Sequence, residues 1–178
     1  KIWRSWCIRA YHYRDIPQSV REIRAAKAED GGVKNVYFVG CGGSLGALYP
    51  AKVFVERESL GLKTGWINSN EFVHSTPKDF GKNSVLCVAC HAGNTPETVA
   101  AAKLGKESGA AVVLLTYQEE SEIAAFAVYL PPYSFDSSSS ARNGRVDYTV
   151  ESLLCALHER VDCVNATEAF APRAPYVP

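Results

Sequence analysis

The sequence predicts an α/β protein, a three-layer α/β/α domain built on a five-stranded parallel sheet. Two observations carry this. Short apolar, β-rich runs recur along the chain, at residues 36–39, 64–67, 84–90, 111–116 and 128–130. Segments with helical spacing separate them, at 44–59, 95–107 and 119–126. Strands that alternate with helices need crossover connections, and crossovers make parallel, doubly wound sheets.

Each element has a local reason. Val20, Ile23 and Ala26 share one helical face, Pro17 suits a first turn, and Gly31-Gly32 stops the helix read over 17–29. Val36 to Val39 is a continuous apolar run, as in a strand buried on both faces. Leu45, Leu48, Ala51, Val53 and Val55 predict one helix over 44–59, broken at Leu60-Gly61-Leu62. Residues 70–79 are polar and contain Pro77, so they read as a loop with one helical turn. The helix over 95–107 has Thr95 to cap it, Pro96 at its first position and Glu97 at the positive end of its dipole. The strand at 128–130 stops at Pro131-Pro132.

The domain is read over 17–136, after an aromatic and basic arm at 1–16. Residues 137–178 form a serine-rich linker, a helix carrying Leu153, Leu154 and Leu157 on one face, and a proline-bearing tail.

Composition narrows the function. The chain has 178 residues, 47% apolar and 21% charged, enough for one buried core. Its 19 basic side chains match its 19 acidic ones, and no basic cluster gives a nucleic-acid footprint. No apolar run approaches the roughly 20 residues of a membrane-spanning helix. Six cysteines in mostly apolar contexts, in a chain too large to need staples, read as reduced thiols in a cytoplasmic setting. Cys87 and Cys90 have the spacing of a metal or redox pair, but residues three apart on a strand point to opposite faces. His12, His74 and His158 form no ligand spacing, so neither metal nor cofactor is expected.

Ligands of open parallel sheets sit at the carboxyl ends of the strands. Two such ends stand out. Gly40-Cys41-Gly42-Gly43-Ser44 follows the first strand; its glycines admit an anion close to the backbone and Ser44 adds a hydroxyl. Cys90-His91-Ala92-Gly93-Asn94-Thr95 follows the third strand and leads to Thr98, offering two hydroxyls at a first helical turn. Each loop taken alone also fits a tight strand-to-helix turn. Together, after neighbouring strands, they point to an anion. The first loop lacks a Walker-type lysine, which argues against a nucleoside triphosphate. His91 either touches the substrate or sits at the loop mouth.

With VYFVGCGGSLGA, NSNEFVHSTP and VLCVACHAGNTPETVAAAK on the page, the chain resembles the sugar isomerase (SIS) domain family over roughly residues 17–132. It is most similar to the amino-terminal half of two-SIS proteins such as fructosamine deglycases, and more distantly to the isomerase part of glucosamine 6-phosphate synthase. The resemblance implies a flavodoxin-like doubly wound fold and a sugar phosphate held by Ser44, Thr95 and Thr98. Backbone from Gly42, Gly43, Gly93 and Asn94 assists. The family usually has serine where Cys90 stands, and often where Ala92 stands; a thiol is the weaker donor. Glu71, in the segment matching the family's loop after the second strand, faces either the sugar or a subunit partner.

The family's catalytic glutamate lies in a second SIS half, assisted by a histidine often supplied by a neighbouring subunit. The resemblance therefore implies binding by this segment, with the catalytic base elsewhere in an aldose–ketose isomerase or fructosamine 6-phosphate deglycase. The alternative is a non-catalytic sugar-phosphate sensor or a dimerising module. A homodimer or larger homo-oligomer is expected, since family members pair their SIS domains.

Overall fold

The computed structural model describes residues 15–127 apart from 60, 117 and 119. Most of the N-terminal arm, the strand expected at 128–130, and the linker, helix and tail beyond it lie outside the described residues.

Helix α1 (Asp15–Ala28) starts two residues earlier than its spacing suggests. It ends where the Gly32 amide donates to the Lys27 carbonyl (2.9 Å), closing the turn into the sheet. Strand β1 (Asn35–Gly40) follows, then helices α2 (Gly42–Ala47) and α3 (Tyr49–Glu58), strand β2 (Lys63–Asn68) and helix α4 (Ser69–His74). Strand β3 (Ser84–Ala89), helix α5 (Pro96–Glu107), strand β4 (Ala111–Leu115) and a 3-10 turn over Glu122–Phe126 complete the order. The four strands described form a parallel sheet in the order β2-β1-β3-β4.

The sheet is covered on both faces. On one, Val36, Phe38, Cys87 and Val113 meet Leu48 and Val55 of the α2–α3 side, with Ile23 of α1. On the other, Val39, Leu86, Val88 and Leu114 meet Phe72 of α4 and Val99 and Ala102 of α5. Residues of β1, β3 and β4 are all buried, so these strands read as continuous apolar runs. Strand β2 lies at the edge of the described sheet, with Lys63, Trp66 and Asn68 exposed and the others half-buried.

Three expectations need correction. The single helix over 44–59 is two helices that meet at Leu48. Pro50 has no amide to donate four residues back, and its ring would clash with the carbonyl there, so the helix restarts. The polar stretch after β2 opens with a true helix. The Asn68 side chain accepts from the Asn70 amide (3.0 Å) and caps α4. The short helix expected over 119–126 is the 3-10 turn, whose Ile123 is buried under the sheet.

At the amino end of the strands, the Tyr37 hydroxyl donates to Asp79 (2.6 Å), and Lys63 bonds the other carboxylate oxygen (2.5 Å). Burial of Tyr37, then its hydrogen bond to Asp79, pushes the phenol well above its ordinary range. A raised pKa stabilises the fold below the unfolded value, about 10, and that contribution is lost as pH rises above it. The expected result is a wild-type unfolding midpoint that falls steeply above pH 10. Tyr37→Phe should show a shallower fall, measured by urea denaturation at each pH.

Candidate functional site

The order β2-β1-β3-β4 reverses direction between β1 and β3. The chain leaves β1 for β2 on one side, then crosses back to β3 on the other. A switch point of this kind opens a crevice at the carboxyl ends of the strands. Register makes the ends level: Gly40 pairs with Asn68 on one side and with Ala89 on the other. Both loops singled out from the sequence therefore emerge side by side.

In the first loop, Cys41 is extended and Gly42 is left-handed, with φ of 53°. The Cys41 carbonyl accepts from the Ser44 amide (3.2 Å), which turns the chain into α2. A side chain at Gly42 or Gly43 would meet no atom within 4 Å. The fold thus makes no packing demand for glycine at Gly43, and the backbone there is open to an incoming group. Ser44 is half-buried. Trp66 of the edge strand holds the loop from the side, its indole N–H donating to the Leu45 carbonyl (2.9 Å). That tie has no signal in local sequence.

The second loop is packed more tightly. The Cys90 amide donates to the Leu115 carbonyl (2.9 Å), prolonging the ladder with β4. Cys90 is 2% exposed and lies in the apolar layer on the α5 side. Cys87 lies in the opposite layer, where burial pushes its thiol up to about 12. The two sulfurs therefore face opposite layers, as expected of a strand. Cys41, Cys87 and Cys90 are all free thiols. Gly93 is buried with φ of 70°, and its amide donates to the Cys90 carbonyl (3.2 Å). The Thr116 hydroxyl donates to the His91 carbonyl (3.3 Å) from beneath. Ala92 and Asn94 are exposed, and the His91 and Thr95 side chains are half-buried.

Thr95 stands at the N-cap position of α5, but its side chain makes no capping bond. Its carbonyl instead accepts from the amides of Thr98 and Val99, both at 2.9 Å. The Thr95 hydroxyl is therefore not spent on the helix. Thr98 is different. It is 1% exposed, its hydroxyl lies 2.9 Å from that of Ser69, and it reaches the Cys41 sulfur at 3.6 Å. Glu71 is exposed on the first turn of α4. Among the described residues, no group of three His, Cys, Asp or Glu side chains could hold a metal ion, and no helix is long and apolar enough to cross a membrane.

A parallel doubly wound sheet with two glycine-bearing loops at its switch point is a ligand-binding architecture, and comparison with known proteins gives its family. The chain carries a sugar isomerase (SIS) domain. It is 35% identical over 125 residues to the fructosamine deglycase FrlB of Bacillus subtilis, a match spanning 69% of this chain and 38% of the relative. The fold is similar to that of a Salmonella typhimurium LT2 protein assigned as a phosphosugar isomerase, with TM-score 0.75 and 33% identity, covering 86% of this chain and 46% of that one. A Bacillus subtilis protein with the same assignment matches with TM-score 0.74 and 29% identity, covering 87% and 47%. The chain thus spans less than half the length of these relatives. No family model matches it.

Proposed function

We propose that this chain binds the phosphate end of a sugar phosphate between the loops after β1 and β3, as one SIS domain of a larger enzyme. That enzyme acts as an aldose–ketose isomerase or a fructosamine 6-phosphate deglycase, on amino sugar phosphates or phosphorylated Amadori adducts. The observation that supports this best is the placement of the open Gly42-Gly43 backbone and the uncommitted Thr95 hydroxyl in loops that leave adjacent strands at the switch point.

In this reading Ser44 and Thr95 donate hydroxyl hydrogen bonds to phosphate oxygens. Backbone amides of Gly43 and Asn94 complete the cradle, which suits an anion better than side chains that must first be ordered, while Gly93, its own amide bonded to the Cys90 carbonyl, sets the turn ahead of Asn94. Cys90 contributes shape rather than a donor, since its sulfur is turned into the core. His91 and Glu71 are the candidates for contacts to the sugar, with a subunit partner as the alternative for the exposed Glu71. The general base needs a pKa near neutrality and belongs to the remainder of the full-length protein. A homodimer, or a larger assembly of copies, completes the reading.

Calorimetric titration of the chain with fructose 6-phosphate and glucosamine 6-phosphate is the test. Heat is expected with at least one, with competition by millimolar inorganic phosphate. Ser44→Ala and Thr95→Val should each weaken binding by about tenfold, the worth of one hydrogen bond to a charged group. Absence of heat with both sugars would refute the reading. Amine release from a fructosamine 6-phosphate by the full-length protein separates an enzyme from a sensor.

A further inference from the structure

Three residues far apart in sequence meet below the crevice. Ser69 opens α4 after β2, Thr98 lies in the first turn of α5 after β3, and Cys41 begins the loop after β1. Ser69 is fully buried and Thr98 is 1% exposed. The Thr98 hydroxyl reaches the Cys41 sulfur at 3.6 Å. It also lies 2.9 Å from the Ser69 hydroxyl, a contact in which either oxygen can be the donor. The three side chains form one continuous run, from Ser69 through Thr98 to Cys41.

We propose that Ser69 and Thr98 are positioning residues for the sugar-phosphate site, setting the spacing of its two loops without touching the ligand. This rests on the sugar-phosphate reading above. It adds a residue, Ser69, from a strand end outside both loops, and it gives Thr98 a part distinct from that of Thr95. The physical case is one of placement. Cys41 is the residue whose carbonyl starts α2, so a tether on its sulfur sets where Gly42 to Ser44 lie. Thr98 sits three residues into the chain from Thr95, and its amide bonds the Thr95 carbonyl. A tether on the Thr98 hydroxyl therefore sets where Thr95 lies. One hydroxyl fixes both walls, and Ser69 fixes that hydroxyl. Such support matters because a charged ligand is held well only by donors already in place.

The test compares Thr98→Val, Thr98→Ser and Ser69→Ala with wild type. Fructose 6-phosphate and inorganic phosphate are the titrants, and thermal unfolding is followed in parallel. Valine keeps the shape of threonine but cannot hold the tether; serine keeps the hydroxyl. Thr98→Val should weaken both titrants about tenfold and Ser69→Ala about threefold, while Thr98→Ser stays within about twofold of wild type. If Thr98→Val unfolds, Ser69→Ala carries the comparison. Native affinity in folded Thr98→Val, or in Ser69→Ala when the former does not fold, overturns the proposal. So does equal weakening in Thr98→Ser, which would show a shape effect alone. A wild type that binds neither titrant brings down the sugar-phosphate reading itself, and this proposal with it.

Discussion

Gly93→Ala should unfold the protein about 5 to 15 °C below wild type and weaken phosphate binding about tenfold. Two costs combine. At φ of 70° an alanine side chain crowds its own backbone, a penalty of about 1–2 kcal/mol. The new methyl would also lie 2.2 Å from the Ser121 hydroxyl oxygen and 2.3 Å from its Cβ. The second contact cannot be relieved by a rotamer change, so the backbone must shift, at about 1–3 kcal/mol. The shift moves His91 to Asn94, the segment that carries the Asn94 amide proposed to face the phosphate. Pairing the change with Ser121→Gly should recover the steric part and leave the dihedral part. Gly46→Ala is the control. A methyl there meets nothing within 4 Å, so stability should hold or rise slightly. Differential scanning calorimetry and phosphate titration on the same samples decide it; a Gly93→Ala protein as stable as Gly46→Ala would show that the loop is not packed against Ser121.

The second large effect is expected at Phe72. Its ring is fully buried and packs edge-on to Phe80, with centroids 4.9 Å apart, and against Tyr37 at 6.2 Å. Phe72→Ala should cost about 3–5 kcal/mol, read from the urea midpoint. That is a large part of the total for a domain of ordinary stability. The consequence reaches the site, because α4 is only six residues long and Phe72 is its main anchor on the sheet. Loosening α4 moves Ser69, three residues earlier. Phe72→Ala at low temperature, while still folded, should therefore also bind fructose 6-phosphate more weakly. Phe72→Leu, which keeps most of the apolar volume, should lose less of both. A loss below about 1 kcal/mol for Phe72→Ala would mean that α4 is not docked through this ring.

Both predictions concern contacts at very different sequence distances, and that difference marks what could be read in advance. The strands were legible because a strand buried on both faces is a contiguous apolar run, and Val36 to Val39 or Val85 to Val88 need no partner to be recognised. The two loops were legible because glycines directly after such a run have a local meaning. The break at Leu48 was also signalled, by Pro50, but the apolar spacing of Leu45, Leu48 and Ala51 is compatible with one helix or two. Thr98 carried a sign of its burial. It shares a face with Ala101, Ala102 and Gly105, all of them buried on the sheet side of α5.

What the sequence determined by itself is therefore the four strands described, their alternation with helices, and the two loops that carry ligand-type residues. These follow from apolar periodicity and glycine placement, which act over a few residues. Only the tertiary structure decided that the loops share one crevice, because this depends on β1 lying between β2 and β3. It also decided the fate of three hydroxyls that look alike in the chain. Ser69 and Thr98 are turned inward to each other and to Cys41, while Thr95 is left uncommitted at the head of its helix. No local rule reaches across the 57 residues between Cys41 and Thr98; the crossover connection brings them together, and burial then requires each hydroxyl to find a partner.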